Sequence, residues 1–200
     1  ALSTSVIATL TTSQLSGLDA TQISGLMVTQ AKALTTTAVS LLTSTQLGAL
    51  STTAFAGLST TQIGAFTVTQ FADFTSTTLA AMSATQVKGL STTNLATLTT
   101  TQLAGLTSTQ VGALSTTQIA ALNSTNIGAL TTDQFAGLST TTIGGLSINQ
   151  VGGITATQIG AMTVTQMGGF KSTGIAVFSQ TQLDALTPTL IAGITTSALA

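Results

Sequence analysis

The chain has 200 residues, only 4% of them charged, and a formal net charge of −1. An ordinary soluble domain has roughly 25% charged residues, so this composition is not that of an ordinary domain. Binding to nucleic acid or anionic lipid needs a basic surface, so neither partner is expected. His, Arg, Glu, Cys, Trp and Tyr are absent. Their absence excludes disulfides, thiolate chemistry and a hydrolase triad.

An eight-residue motif repeats along the whole chain. Large apolar side chains stand every eight residues, from Leu2 to Ile194, which gives 25 octads without an insertion or deletion. A second apolar side chain follows five residues later, as at Ile7. The consensus is L-[ST]-x-T-Q-[ILVF]-[AG]-[AG], whose places are called positions 1 to 8. This register predicts a single uninterrupted array over residues 1–200, as a segment of a longer array or filament.

Each octad carries the start signal of a helix. Position 2 is Ser or Thr in 21 of 25 octads, and position 5 is Gln in 15. In a capping box, the Ser/Thr side chain accepts from the backbone N–H three residues on, and the Gln side chain accepts from the cap N–H. The pattern therefore predicts one short helix of about six residues per octad, followed by a corner at the small residues.

Several departures from the consensus fit the same assignment. Asp19 and Asn123 replace Ser/Thr at position 2, and both residue types are good helix N-caps. Asn94 and Asn126 replace Gln at position 5. The single proline, Pro188, falls at the first helical position, where a helix tolerates it.

A helix this short cannot bury its own apolar face, so the octads must stack on one another. The predicted fold is a repeat solenoid of short capped helices, coiled into a continuous rod. A β-solenoid is the alternative, because Thr, Val and Ile favour strands. The apolar spacing of 5, 3, 5, 3 fits strand alternation poorly.

Two sets of residues represent the predicted structural roles. Positions 1 and 6 form the core, as at Leu58, Ile63, Leu98, Leu103, Leu114 and Ile119. Position 2 supplies the helix N-caps, as at Ser59, Thr99, Ser115, Asp19 and Asn123.

The residues that carry acid/base or metal chemistry are few and scattered. Asp19, Asp73, Asp133 and Asp184 fall at four different octad positions, far apart in sequence. No carboxylate pair or calcium loop is visible, and no Lys has a base beside it in the sequence. We expect no catalytic residues, no bound metal and no cofactor, and predict that the chain is not an enzyme.

The words 114–122, LSTTQIAAL, and 98–106, LTTTQLAGL, resemble the octapeptide arrays of very long bacterial surface and secreted proteins. Those arrays are often described as haemagglutinin-like, adhesion or haem-utilisation exoproteins. The resemblance implies an extracellular or cell-surface location and a structural or adhesive role. Haem binding is not indicated, because the usual His, Cys and Tyr ligands are absent.

These observations predict a non-enzymatic extracellular structural protein that forms a stiff rod, stalk or self-assembling filament, as in an adhesin stalk or biofilm matrix. Its expected partner is itself, head-to-tail or side-by-side, with Ser/Thr hydroxyls as candidate glycan sites. A polar cluster interrupts every octad, so no run reaches the ~20 apolar residues of a membrane span. The alternative is an ice-binding or receptor-binding module that uses Ser/Thr-x-Thr rows.

Overall fold

The computed structural model describes residues 3–194 and contains 24 α-helices of four to six residues, with no strand in that range. The helices are α1 (Thr4–Ala8), α2 (Thr12–Ser16), α3 (Ala20–Ser24), α4 (Val28–Ala33), α5 (Thr36–Leu41), α6 (Ser44–Ala49), α7 (Thr52–Ala56), α8 (Thr60–Gly64), α9 (Val68–Ala72), α10 (Ser76–Ala80), α11 (Ala84–Val87), α12 (Thr92–Ala96), α13 (Thr100–Leu103), α14 (Ser108–Ala113), α15 (Thr116–Ala120), α16 (Ser124–Ala129), α17 (Thr132–Ala136), α18 (Thr140–Gly144), α19 (Ile148–Gly152), α20 (Ala156–Gly160), α21 (Val164–Met167), α22 (Ser172–Ile175), α23 (Gln180–Asp184) and α24 (Pro188–Ile191). The helical prediction is confirmed, and the β-solenoid alternative is wrong for these residues.

The helices begin where the capping pattern places them. Ser59, for example, accepts the backbone N–H of Gln62 at 3.2 Å, while Gln62 Oε1 accepts the N–H of Ser59 at 2.8 Å. This reciprocal box opens 14 of the helices. It satisfies two N–H groups that a helix start otherwise leaves unpaired, so segments of only five residues are supported locally.

Two octads start a helix without a capping side chain. Met27 and Lys171 occupy position 2 and make no side-chain cap hydrogen bond. In α4 the other half of the box survives, because Gln30 Oε1 accepts the N–H of Met27 at 2.7 Å. Pro188 stands in the first turn of α24, as its lack of an N–H allows.

The chain forms two compact units, Ala1–Thr97 and Leu98–Ala200. Unit 1 holds α1 to α12 and unit 2 holds α13 to α24. Within each unit a helix packs against the third helix further along, as α4 does against α7 and α14 against α17. Three octads, or 24 residues, therefore make one turn of the coil. This number could not be read from the octad period. The single array over residues 1–200 stays a prediction.

The small residues at positions 7 and 8 let successive turns come close together. No described glycine has a positive φ, so their role is not to provide a left-handed helix end. A Cβ on Gly128 would lie 2.6 Å from the carbonyl oxygen of Gly153, one turn further along the coil. A Cβ on Gly153 would in turn lie 2.9 Å from the Cβ of Ser124. Glycine is therefore required where two backbones meet.

Adjacent glycines in one corner are expected to respond in opposite directions to the same substitution. Gly153→Ala should destabilise the protein by about 1–3 kcal/mol, because the new methyl meets the backbone of Ser124. Gly152→Ala is the matched control: its Cβ would meet nothing within 4 Å, and alanine favours the helix by roughly 0.5–1 kcal/mol. The urea midpoint, followed by far-UV circular dichroism, measures both effects. Equal midpoints for the two variants would contradict the close approach of α16 and α19.

Candidate functional site

The residues predicted to form the core are buried, and the residues predicted to cap helices stand at helix N-caps. Leu58, Ile63, Leu98, Leu103, Leu114 and Ile119 are each at most 4% exposed. Ser59, Thr99, Ser115, Asp19 and Asn123 are the N-caps of α8, α13, α15, α3 and α16, and each side chain accepts the backbone N–H three residues on. The carboxylate of Asp19 and the amide oxygen of Asn123 make the shorter cap bonds, both 2.8 Å.

The glutamines at position 5 do more than cap a helix. Gln46 is 5% exposed, and its Nε2 donates to the carbonyl oxygens of Leu15 at 3.0 Å and Leu18 at 2.8 Å. Gln158 likewise donates to Ile127 at 2.9 Å and Leu130 at 2.7 Å. The spacings of 31 and 28 residues reach the neighbouring turn of the coil. Each amide thus caps its own helix with its oxygen and joins two turns with its nitrogen.

We call this arrangement the glutamine clamp. The glutamines whose Nε2 bonds both carbonyls include Gln46, Gln62, Gln70 and Gln86 in unit 1, and Gln134, Gln150, Gln158, Gln166 and Gln182 in unit 2. Every one of them is buried. A buried primary amide is tolerated only when its donors and acceptor are satisfied, and here all of them are.

Sequence reasoning found the capping half of this clamp and missed the other half. The signal was the residue choice at position 5. A capping box accepts Glu as readily as Gln, yet the chain has no Glu. Only the amide offers N–H donors in addition to the capping oxygen.

Asparagine at position 5 gives an incomplete clamp, because its side chain is one methylene shorter. Asn94 Nδ2 reaches the carbonyl oxygen of Phe66 at 2.9 Å, and Asn126 Nδ2 reaches that of Leu98 at 3.0 Å. The Oδ1 of Asn126 is buried and has no hydrogen-bond partner. Position 5 of α16 therefore carries an unsatisfied acceptor.

Exposed hydroxyl groups recur along the surface at position 4. The Thr at position 4, as in Thr61, Thr101 and Thr117, is exposed, whereas the position-2 hydroxyl is engaged in capping. Residues i and i+2 of a helix do not face the same side, so the two hydroxyls of one word do not form a strand-like flat row. The ice-binding or receptor-binding alternative stays a prediction, with no observation here in its favour.

Ionisable side chains do not converge on this surface. All four Asp and all three Lys are exposed. No group of three or more metal-ligating His, Cys, Asp or Glu side chains occurs within residues 3–194. In that same range, no helix is long and apolar enough to cross a membrane. The absence of enzymatic activity stays a prediction.

Comparison with known families agrees with the octad. A family model described as the ALTTAQ repeat matches residues 44–76, 108–140 and 127–164. The chain is a repeat protein. Residues 129–134 read ALTTDQ, which differs from the letters of that description at one place. No curated protein and no solved structure matches the chain.

Gln62→Glu should destabilise the protein much more than Gln14→Glu. Buried Gln62 would lose its bonds to the carbonyls of Ala31 and Leu34, 2.9 and 2.7 Å away, and would place a carboxylate against them. We expect a loss of about 3 kcal/mol or more at pH 7. Gln14 is exposed and makes only its capping box, so its variant should stay within about 0.5 kcal/mol of the parent.

The same pair of variants provides a pH test, measured by urea unfolding at pH 7 and pH 4. Burial raises the pKa of the carboxyl that Gln62→Glu introduces above its unfolded value of about 4.3. The folded state then binds the proton more tightly, so stability is regained at low pH and lost as the pH rises through the folded pKa. A Gln62→Glu defect that is independent of pH, or equal to that of Gln14→Glu, would contradict the clamp.

Asn126→Gln should stabilise the protein by roughly 1 kcal/mol, because the longer side chain brings its oxygen to the N–H of Asn123 and completes the box. Asn126→Ala serves for comparison, since it removes both the unsatisfied oxygen and the bond to Leu98. Calorimetric melting temperatures measure both variants. A lower melting temperature for the Gln variant would show that the space around position 5 of α16 does not admit the longer chain.

Proposed function

We propose that this chain is a non-enzymatic extracellular structural protein whose stacked octads form a stiff rod, stalk or self-assembling filament. The location at a bacterial surface or in a biofilm matrix, with an adhesin stalk as one form, rests on the resemblance of words such as LSTTQIAAL at 114–122 to surface-protein arrays. The match to the ALTTAQ repeat supports a repeat family. The observation that carries the proposal is the glutamine clamp, which joins successive turns of the coil by the same two hydrogen bonds.

The same contact recurs every 24 residues, so stacking can continue along one axis, either within one chain or between copies of it. A contact that repeats without closing on itself generates a filament. The low charge of the chain leaves little repulsion against further side-by-side association.

Self-assembly is the property that tests this proposal. We expect the purified chain at micromolar concentration to form filaments with helical order in cryo-electron microscopy. Sedimentation velocity at the same concentration gives the fraction assembled.

A chain that remains monomeric at high micromolar concentration would overturn self-assembly into a filament.

A further inference from the structure

A cavity of about 210 Å³ opens in unit 1 between α6 and α7 on one side and α9 and α10 on the other. It lies where two turns of the coil fail to close. Helices α7 and α10 make no close backbone contact, although every other pair of described helices three apart within a unit does. The cavity is therefore a local departure from the repeat and not a regular groove.

A replaced glutamine lies at this departure. Thr78 stands at position 5 of α10, where Gln is the consensus, and a glutamine there would reach the carbonyls of Leu47 and Leu50 at the spacings of 31 and 28 residues. Thr78 Oγ1 instead forms a hydrogen bond with Thr75 Oγ1, 3.0 Å away in its own octad. The carbonyl oxygen of Leu50 accepts from no residue of the described range, although Leu50 is only 8% exposed. The cavity thus retains an acceptor without its donor.

The rest of the lining combines apolar walls with a carboxylate. Phe55 and Phe74 line the cavity, with ring centroids 5.8 Å apart in an edge-to-face arrangement. The carboxylate of Asp73 also lines it and is held by a hydrogen bond from the Ser44 hydroxyl across 29 residues of sequence. The lining contains no Lys. Backbone carbonyl, carboxylate and aromatic faces all favour a positively charged hydrogen-bond donor.

We propose that this cavity binds a small organic cation, a primary ammonium carried on an apolar body about the size of benzene. A cavity of roughly 150 Å³ holds benzene, so 210 Å³ leaves room for a short ammonium arm. The ammonium donates to the Leu50 carbonyl and to the Asp73 carboxylate. The apolar body packs against Phe55 and Phe74. The contact with the Leu50 carbonyl replaces the one that a glutamine amide supplies in other octads. The contact with Asp73 uses the one acid in the lining. This binding does not depend on assembly.

The probe is 2-phenylethylammonium, added to the full chain and followed by two-dimensional NMR. Saturable shifts of the backbone amides of Leu47, Leu50 and Asp73 are expected, with a dissociation constant on the order of 1 mM. Ethylbenzene, which lacks the charge, and 3-phenylpropionate, which reverses it, should bind at least about tenfold more weakly.

Thr78→Gln restores the consensus side chain, supplies the missing donor and fills the cavity, so probe binding should be lost while the urea midpoint rises. Thr142→Gln is the matched control, because Thr142 is the other threonine at position 5 and lies in unit 2. It should leave binding unchanged. Asp73→Asn should weaken binding about threefold to fivefold, as expected for an exposed ion pair.

Three results would overturn the proposal. These are the absence of saturable shifts in the parent at about 10 mM probe, binding to folded Thr78→Gln that equals the parent's, and equal binding of the cation and the anion. The circular dichroism spectrum of Thr78→Gln is first compared with that of the parent. If the two spectra differ, binding to Asp73→Asn decides the question, because that variant leaves the helix contacts intact. Unchanged affinity in Asp73→Asn would then count against the cation.

Discussion

The buried primary amide at position 5 is the interaction on which the rest of the structure depends. Its oxygen closes the start of a helix too short to persist alone, and its nitrogen binds carbonyls 28 and 31 residues earlier, as Gln70 does with Leu42 at 2.6 Å and Val39 at 2.8 Å. One side chain therefore enforces the eight-residue period within a turn and the 24-residue period between turns. A one-residue insertion would misalign both at once, which explains why 25 octads occur without an insertion or deletion.

The octad plan was predictable because its determinants are local. The cap Ser59 and its partner Gln62 are three residues apart. The apolar positions can be recognised from their spacing alone. The number of octads in a turn was not predictable, since it depends on the angle at each corner and on backbone contacts between distant residues. Those contacts involve glycines such as Gly128 and Gly153, which in sequence look like ordinary helix ends. The cavity at Thr78 was hidden for the same reason, because its partners at Leu47 and Leu50 belong to another turn.

The surface and the interior of this protein differ in an unusual way. Polar amides lie inside and are fully bonded, while neutral hydroxyls cover the outside, as at Gln118 and Thr117. The chain does not rely on charge for specificity, since its few ionisable residues are exposed and scattered. Register is fixed instead by hydrogen-bond geometry in a low-dielectric interior, where a missing partner is costly. The unsatisfied Oδ1 of Asn126 and the open acceptor at Leu50 are two places where single octads depart from this rule.

The glutamine clamp also determines how each unit would respond to mechanical tension. Turns are joined in series. Where position 5 is glutamine, the amide holds its octad to the neighbouring turn, so a pulling force acts on one set of hydrogen bonds at a time. Releasing a single turn of 24 residues lengthens the chain by at most roughly 80 Å, while the remaining turns keep their contacts. The chain then extends in small, similar steps, one turn at a time, and each step dissipates mechanical work. A coil built from such similar units therefore yields gradually under load and does not rupture suddenly.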